Sequence, residues 1–298
     1  MRNARSRERL DANVSADEPA YEAYAYSPFW RLVGATTFAF SRASLLVMLV
    51  AILYSRIAVT PIEVIRTFVL LFVIPALAAR VIARGMAARV ELRDGDVTIE
   101  RPGVRVDVPL PAVAGLVPWR VPLPAPGFAL VLGSRRLVRP GIASHDPTPL
   151  LRALADRGVA AAARAVDHPT IVYARARAAW GRWRWTHLAA RFPLFALGPT
   201  LLLFNVHQHI AYGGFFGQYY MIGLGPWLLT FAVYWATVTI YQVLYASAWR
   251  GLAELICLFS AGVAPSRAAR VRRAAELVIR VVYFAGVPVL LALRFAPW

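Results

Sequence analysis

The sequence predicts an α-helical polytopic membrane protein of about five transmembrane helices, with a small α+β domain inserted after the second. Three observations lead there. Apolar residues make up 59% of the 298 and charged ones 16%, against about 45–50% and about 25% in a soluble domain. The arginines cluster in alternate connections between the apolar blocks. Between about 86 and 150 the helical period gives way to strict alternation.

A crossing helix takes about 20 mostly apolar residues for about 30 Å of hydrocarbon. Such blocks lie within 29–60, 62–80, 187–206, 219–247 and 275–297. The first contains Arg42 near its middle. It reads either as one long helix over 29–54 or as an interfacial helix over 28–41 followed by a crossing helix from 43 to about 60. A charge at the bilayer centre costs at least ~2.5 kcal/mol. That favours the second reading, in which Arg42 and Arg56 reach opposite surfaces. Within 248–264, Trp249, Leu252, Ile256 and Phe259 share one helical face, with Arg250, Glu254 and Cys257 turned elsewhere. That pattern suits an interfacial or partly re-entrant helix. The expected organisation is a disordered cytoplasmic tail (1–27) without a cleavable signal, a membrane helix hairpin (28–84), a β-rich domain with a C-terminal helix (85–167), and a juxtamembrane segment leading into a three-helix membrane region (168–298).

Orientation follows from arginine placement. Residues 80–191 hold 18 arginines against 8 carboxylates, and 248–274 hold five against Glu254 alone. The connections around 55–61 and 207–218 are nearly uncharged. This predicts a multi-pass protein of a bacterial inner membrane, with the N-terminus and residues 85–186 cytoplasmic. The net charge of +17 favours anionic partners, acidic lipid headgroups ahead of nucleic acid. Cys257 is the only cysteine, which excludes an internal disulfide and a thiolate metal cluster.

In the middle domain, Arg89-Val90-Glu91-Leu92 leads through the turn at 93–96 into Val97-Thr98-Ile99-Glu100, followed by Val104 to Val108, Phe128 to Leu132, and Arg136 to Val138. Alternation of this kind marks half-buried strands. A helical pattern with Leu150, Leu151, Leu154 and Val159 closes the series. Strands closed by a helix and attached to a helix hairpin resemble the bacterial pleckstrin-homology-like domains of small membrane proteins, over residues 86–160. The resemblance implies an interaction or membrane-proximal module and carries over no catalytic residues. The proline-rich run from Pro118 to Pro126 departs from the simple strand order, and an unrelated small sheet with a helix is the alternative.

Several positions are candidates for function. Arg175, Arg177, Arg182 and Arg184 interleave with Trp180, Trp183 and Trp185. The mixture could stack single-stranded nucleic acid, but beside a membrane entry it reads as a lipid-headgroup belt. His207 and His209 could ligate a metal or haem iron with further ligands. On a strand they would point together, and on a helix they would diverge. Thr230, Tyr234, Thr237, Tyr241 and Tyr245, with Gln242 beside them, form an intramembrane polar face that suits packing or a substrate path. Glu63 with Arg66, and Glu276 with Arg280, stand at ion-pair spacing. No nucleotide loop, nucleophile constellation or carboxylate pair is present in the sequence. The expected function is a non-enzymatic accessory, scaffold or assembly subunit of a larger membrane complex, with no cofactor favoured. Its expected partners are anionic lipids and other membrane subunits. The alternatives are a redox enzyme using His207 and His209, and a small-molecule or lipid transporter along the Tyr234 and Tyr241 face.

Overall fold

A computed structural model describes residues 20–54, 60–93, 95–180 and 185–295. It divides into two compact units, one of residues 1–35 and 79–178 and one of residues 36–78 and 179–298.

The first unit is built on a curled, seven-stranded antiparallel sheet. Its strands are β1 (Ala20–Tyr26), β2 (Ala87–Arg93), β3 (Asp96–Arg101), β4 (Val104–Pro109), β5 (Val113–Pro118), β6 (Gly127–Leu132) and β7 (Gly141–Ala143), in the order β4-β3-β2-β1-β7-β6-β5. The alternation over 89–108 is therefore strand, as expected. β1 corrects the expectation of a disordered tail over 1–27. The central strand of the sheet comes from that tail, pairing Tyr24 with Ala87 of β2 on one side and with Ala143 of β7 on the other. Its small Ala23 and Ala25 point into the core, while Tyr21, Tyr24 and Tyr26, of a good strand-forming type, are interspersed with the smaller residues. Residues 1–19 lie outside the described residues.

The core joins Val90, Leu92, Val97, Ile99, Phe128, Leu130 and Ile142 of the sheet to Leu150, Leu151 and Leu154. Those leucines belong to α3 (Thr148–Asp156), which is followed by α4 (Ala160–Ala165) and α5 (Pro169–Ala178). Three short helices thus stand where a single closing helix was expected, because Gly158, at φ +89°, turns the chain after the first. The proline-rich run forms the β5–β6 connection without interrupting the pairing of Pro118 with Phe128.

In the second unit the helices dominate. α1 (Pro28–Tyr54) is one unbroken helix, which overturns the interfacial-plus-crossing reading. No proline or glycine interrupts the sequence around Arg42. The arginine lies on the exposed surface, its guanidinium 5.4 Å from the Phe38 ring and 5.9 Å from that of Phe72. Arg56 lies outside the described residues. α2 (Pro61–Gly85) contains a π turn at Val69–Val73 just before Pro75. Proline has no N–H for the carbonyl four residues back, and the Ser44 hydroxyl of α1 donates to that Leu71 oxygen at 2.8 Å. A second π turn, Ala190–Leu194, surrounds Pro193 in α6 (His187–Tyr212, its first turn opened by Trp185). Here the Arg191 carbonyl accepts from the Tyr283 hydroxyl at 2.7 Å, and the Pro193 carbonyl from Trp235 Nε1 at 2.8 Å. Neighbouring helices thereby satisfy backbone groups that the bent helices expose.

A short α7 (Gly217–Ile222) precedes α8 (Leu224–Val263), and α9 (Ala268–Phe295) ends the chain. At 40 residues, α8 merges the expected fourth block with the segment 248–264, which is not a separate interfacial piece. Among the described residues four helices are long and apolar enough to cross a membrane: α1, α2, α6 and α8. The fifth expected crossing falls in α9, which also carries Arg270, Arg272, Arg273, Glu276 and Arg280.

Candidate functional site

The polar side chains of the helical unit gather at three levels. The first is the turn between α6 and α8. Residues 207–212, expected to lie in the connection after the third block, remain helical to Tyr212, and Gly213 at φ +76° ends the helix. Helical geometry separates His207 from His209 by about 200° around the axis. The His207 ring lies tilted against that of Tyr234 at 5.1 Å, while His209 Nδ1 donates to the Asn205 carbonyl at 2.9 Å. No group of three or more His, Cys, Asp or Glu within metal-binding reach occurs among the described residues. The turn is instead closed by glutamines. Gln208 Nε2 donates to Gln218 Oε1 at 2.7 Å, and Gln218 Nε2 donates to Thr230 Oγ1 at 2.9 Å. Phe204, Phe215, Trp227 and Phe231 pack around them edge to face or stacked.

The second level is the tyrosine stripe of α8. Thr237 bonds back to the Val233 carbonyl, the Gln242 Oε1 accepts from Tyr283 at 3.1 Å, and Tyr245 donates to the Val282 carbonyl at 3.2 Å. Tyr234 meets Phe204 and His207, whereas Tyr241 is exposed. Most of the stripe is therefore helix contact. Gly286 lets α9 approach Tyr245, whose hydroxyl occupies the place a Cβ would take.

The third level was not legible as a site. Arg250 and Glu254 of α8 meet Arg272 and Glu276 of α9 in a closed square of ion pairs. Arg250 bonds Glu254 at 2.9 Å and Glu276 at 2.6 Å, and Arg272 bonds Glu254 at 2.6 Å and Glu276 at 2.7 Å. Arg272 and Glu276 are 3% and 1% exposed, so each charge depends on the other three for compensation. Glu276 therefore does not pair with Arg280, as its spacing suggested. Arg280 instead lies over the Trp180 ring at 5.5 Å. Glu63 likewise does not pair with Arg66: its carboxylate accepts from the Thr60 N–H, and its own N–H donates to the Thr60 hydroxyl, in a capping box that starts α2.

The expected lipid belt is divided. Arg175 and Arg177 sit half-buried on α5, whose Ile171 is part of the sheet unit's core, so they belong to that unit and not to a linker. Arg182, Trp183 and Arg184 lie outside the described residues. On the sheet, Thr98 donates to Asp107 Oδ1 at 2.7 Å and Arg105 Nε to Oδ2 at 3.1 Å. Those bonds, the threonine's foremost, hold the Asp107 carboxyl below the usual range. Burial, with Tyr24 adding a smaller push, raises the Tyr26 hydroxyl to about 12, and burial lowers the His168 imidazole. A cleft of about 230 Å³ beside β1 is lined by Tyr21, Glu22, Ser144, Asp146 and Leu150. Asp146 is engaged there at the turn that leads into α3, its carboxylate accepting from the Thr148 N–H at 3.0 Å.

No family model, curated protein or solved structure matches the chain.

Proposed function

We propose that this chain is a non-enzymatic, multi-pass inner-membrane subunit that scaffolds or assembles a larger membrane complex, with its sheet unit a pleckstrin-homology-like module on the cytoplasmic side. The observation that carries the reading is where polarity lies on the helices. Only 6% of the apolar window of α2 is buried within the chain, and 22–28% of the windows of α1, α6 and α8. The outward surface of these helices is therefore dominated by leucine, isoleucine, valine and phenylalanine, with Arg42 and Tyr241 also exposed on it. The polar groups face one another: Gln208 with Gln218, Gln242 with Tyr283, and Arg250 and Glu254 with Arg272 and Glu276. That distribution suits a hydrocarbon solvent, where backbone and polar groups must be satisfied internally. It also commits the stripe on α8 to holding helices together, which favours a scaffold over a conduit.

The module's position is supported by register. β1 precedes α1 and β2 follows α2, yet the two strands pair over five residues. Both ends of the α1–α2 hairpin thus return to one sheet, which fits two crossings and one side for residues 20–26 and 87–143. The arginine excess over 80–191 and 248–274 supports the cytoplasm as that side. Two antiparallel runs, β1–β4 and β5–β7, joined through β1 and β7 and sharing a core with the helices that follow them, support the resemblance.

The test is purification of the tagged chain from its native membrane in mild detergent. A second membrane subunit is expected at fixed stoichiometry, and its assembly should fail when the chain is deleted. Recovery of a stable, solitary monomer whose deletion leaves membrane complexes unchanged overturns the proposal.

A further inference from the structure

The hairpin formed by the distal half of α8 and the start of α9 is inside-out. Its interior holds the charged square of Arg250, Glu254, Arg272 and Glu276. Its exterior on α8 carries Leu255, Phe259 and Val263, which are 66%, 73% and 69% exposed. On α9, Leu277, Val278 and Val281 face outward in the same way. A hairpin surrounded by water would place these groups the other way round. Its end is polar: Arg267, Arg270 and Arg273 are exposed there, with no carboxylate between residues 255 and 275, and the exposed Arg280 further along α9 lies over the Trp180 ring.

Resting on the membrane reading above, we infer that residues 248–281 are immersed in the bilayer's acyl chains, with the charges neutralised inside the hairpin and the terminal arginines seated on anionic phospholipid headgroups. Three observations fix lipid as the occupant. First, α8 runs without interruption from a segment already apolar enough to cross into this one. Second, its length suffices for the whole bilayer: a 40-residue helix is about 60 Å long and exceeds the about 40–45 Å of a bilayer with its headgroups even when tilted by about 40°. Third, that depth brings the tip to the phosphate layer, where three guanidinium groups find complementary charge. Hydropathy alone misses this embedding, because four charges that cancel within one hairpin count in an average as if each faced lipid.

The test is collision accessibility of nitroxide labels on the full chain in vesicles of phosphatidylcholine and phosphatidylglycerol, in a Cys257→Ala background. Leu229→Cys, on the proximal half of α8 where Leu229 is 66% exposed, reads the membrane assignment itself. Phe259→Cys reads the inference, and Leu255→Cys replaces it if that variant does not fold. Labels at 229 and 259 should both collide with oxygen and both lose broadening by a water-soluble nickel complex. A label at 229 in lipid with one at 259 reached by nickel overturns the inference and leaves the membrane reading intact. Nickel access at both positions removes that reading as well. Shielding of 259 from both relaxants, with 229 in lipid, assigns the face to a second copy of the chain and overturns the inference.

Discussion

Gly217 occupies a place no other residue fits, because a Cβ there would land on the main-chain carbonyl oxygen of Tyr212. The turn from α6 to α7 closes that tightly because Gln218, the next residue, must reach Gln208. A backbone oxygen cannot swing aside as the end of a side chain can. Gly217→Ala is therefore expected to destabilise the helical unit by about 1–3 kcal/mol, the usual cost of overpacking. Gly214→Ala in the same turn is the internal control, since nothing lies within 4 Å of its would-be Cβ, and it should melt close to the parent in detergent. Equal losses from both substitutions would show that the turn is not held by this approach. The connection around 207–218 was legible from its lack of charge. What could not be read was that Asn205 to Tyr212 stay helical, since the partner satisfying the buried Gln208 amide lies ten residues away across the bend.

Between elements, the charged square makes a sharper demand. Removing one member of a buried ion pair leaves an uncompensated charge and costs about 3–5 kcal/mol, whereas replacing a pair with apolar residues of similar size is often near neutral. Glu276→Gln should thus lower thermal stability strongly. Arg272→Met combined with Glu276→Met should recover most of that loss, because Arg250 and Glu254 remain as a balanced pair at 2.9 Å. Thermal unfolding of the parent, the single and the double variants checks this, and a double variant as unstable as the single refutes the coupling. Both i,i+4 pairs, 250 with 254 and 272 with 276, stood in the sequence, but the same spacing equally offered Glu276 to Arg280. Local spacing proposes partners, and the antiparallel packing of α8 on α9 chooses among them. β1 was hidden for a related reason. Its ladder partner Ala87 lies 63 residues beyond Tyr24, past an entire helix hairpin, and neither a turn nor an adjoining strand marks Ala20–Tyr26 locally. Arg42 deceived differently: the cost of a charge at the bilayer centre argued for a break in the helix, yet α1 runs unbroken through it with the guanidinium beside the Phe38 and Phe72 rings.

For the whole molecule, the pairing of β1 with β2 ties topology to fold. Arginine counting alone leaves residues 20–26 free to lie on either side of a membrane if α1 or α2 failed to cross. The five-residue register from Ala20↔Glu91 to Tyr24↔Ala87 removes that freedom. Single cysteines placed at 20, 104 and 216, in a chain with Cys257 replaced by alanine, turn this into a prediction, since Ala20, Val104 and Phe216 are all exposed. A membrane-impermeant maleimide added to intact spheroplasts should label 216 and reach 20 and 104 only after the membrane is opened. Labelling of 20 and 104 together from outside would reverse the orientation inferred from the arginines while leaving the sheet intact. Labelling of one without the other would break the sheet itself, because β1 and β4, joined through β2 and β3 in one hydrogen-bonded sheet, cannot lie on opposite sides of a bilayer.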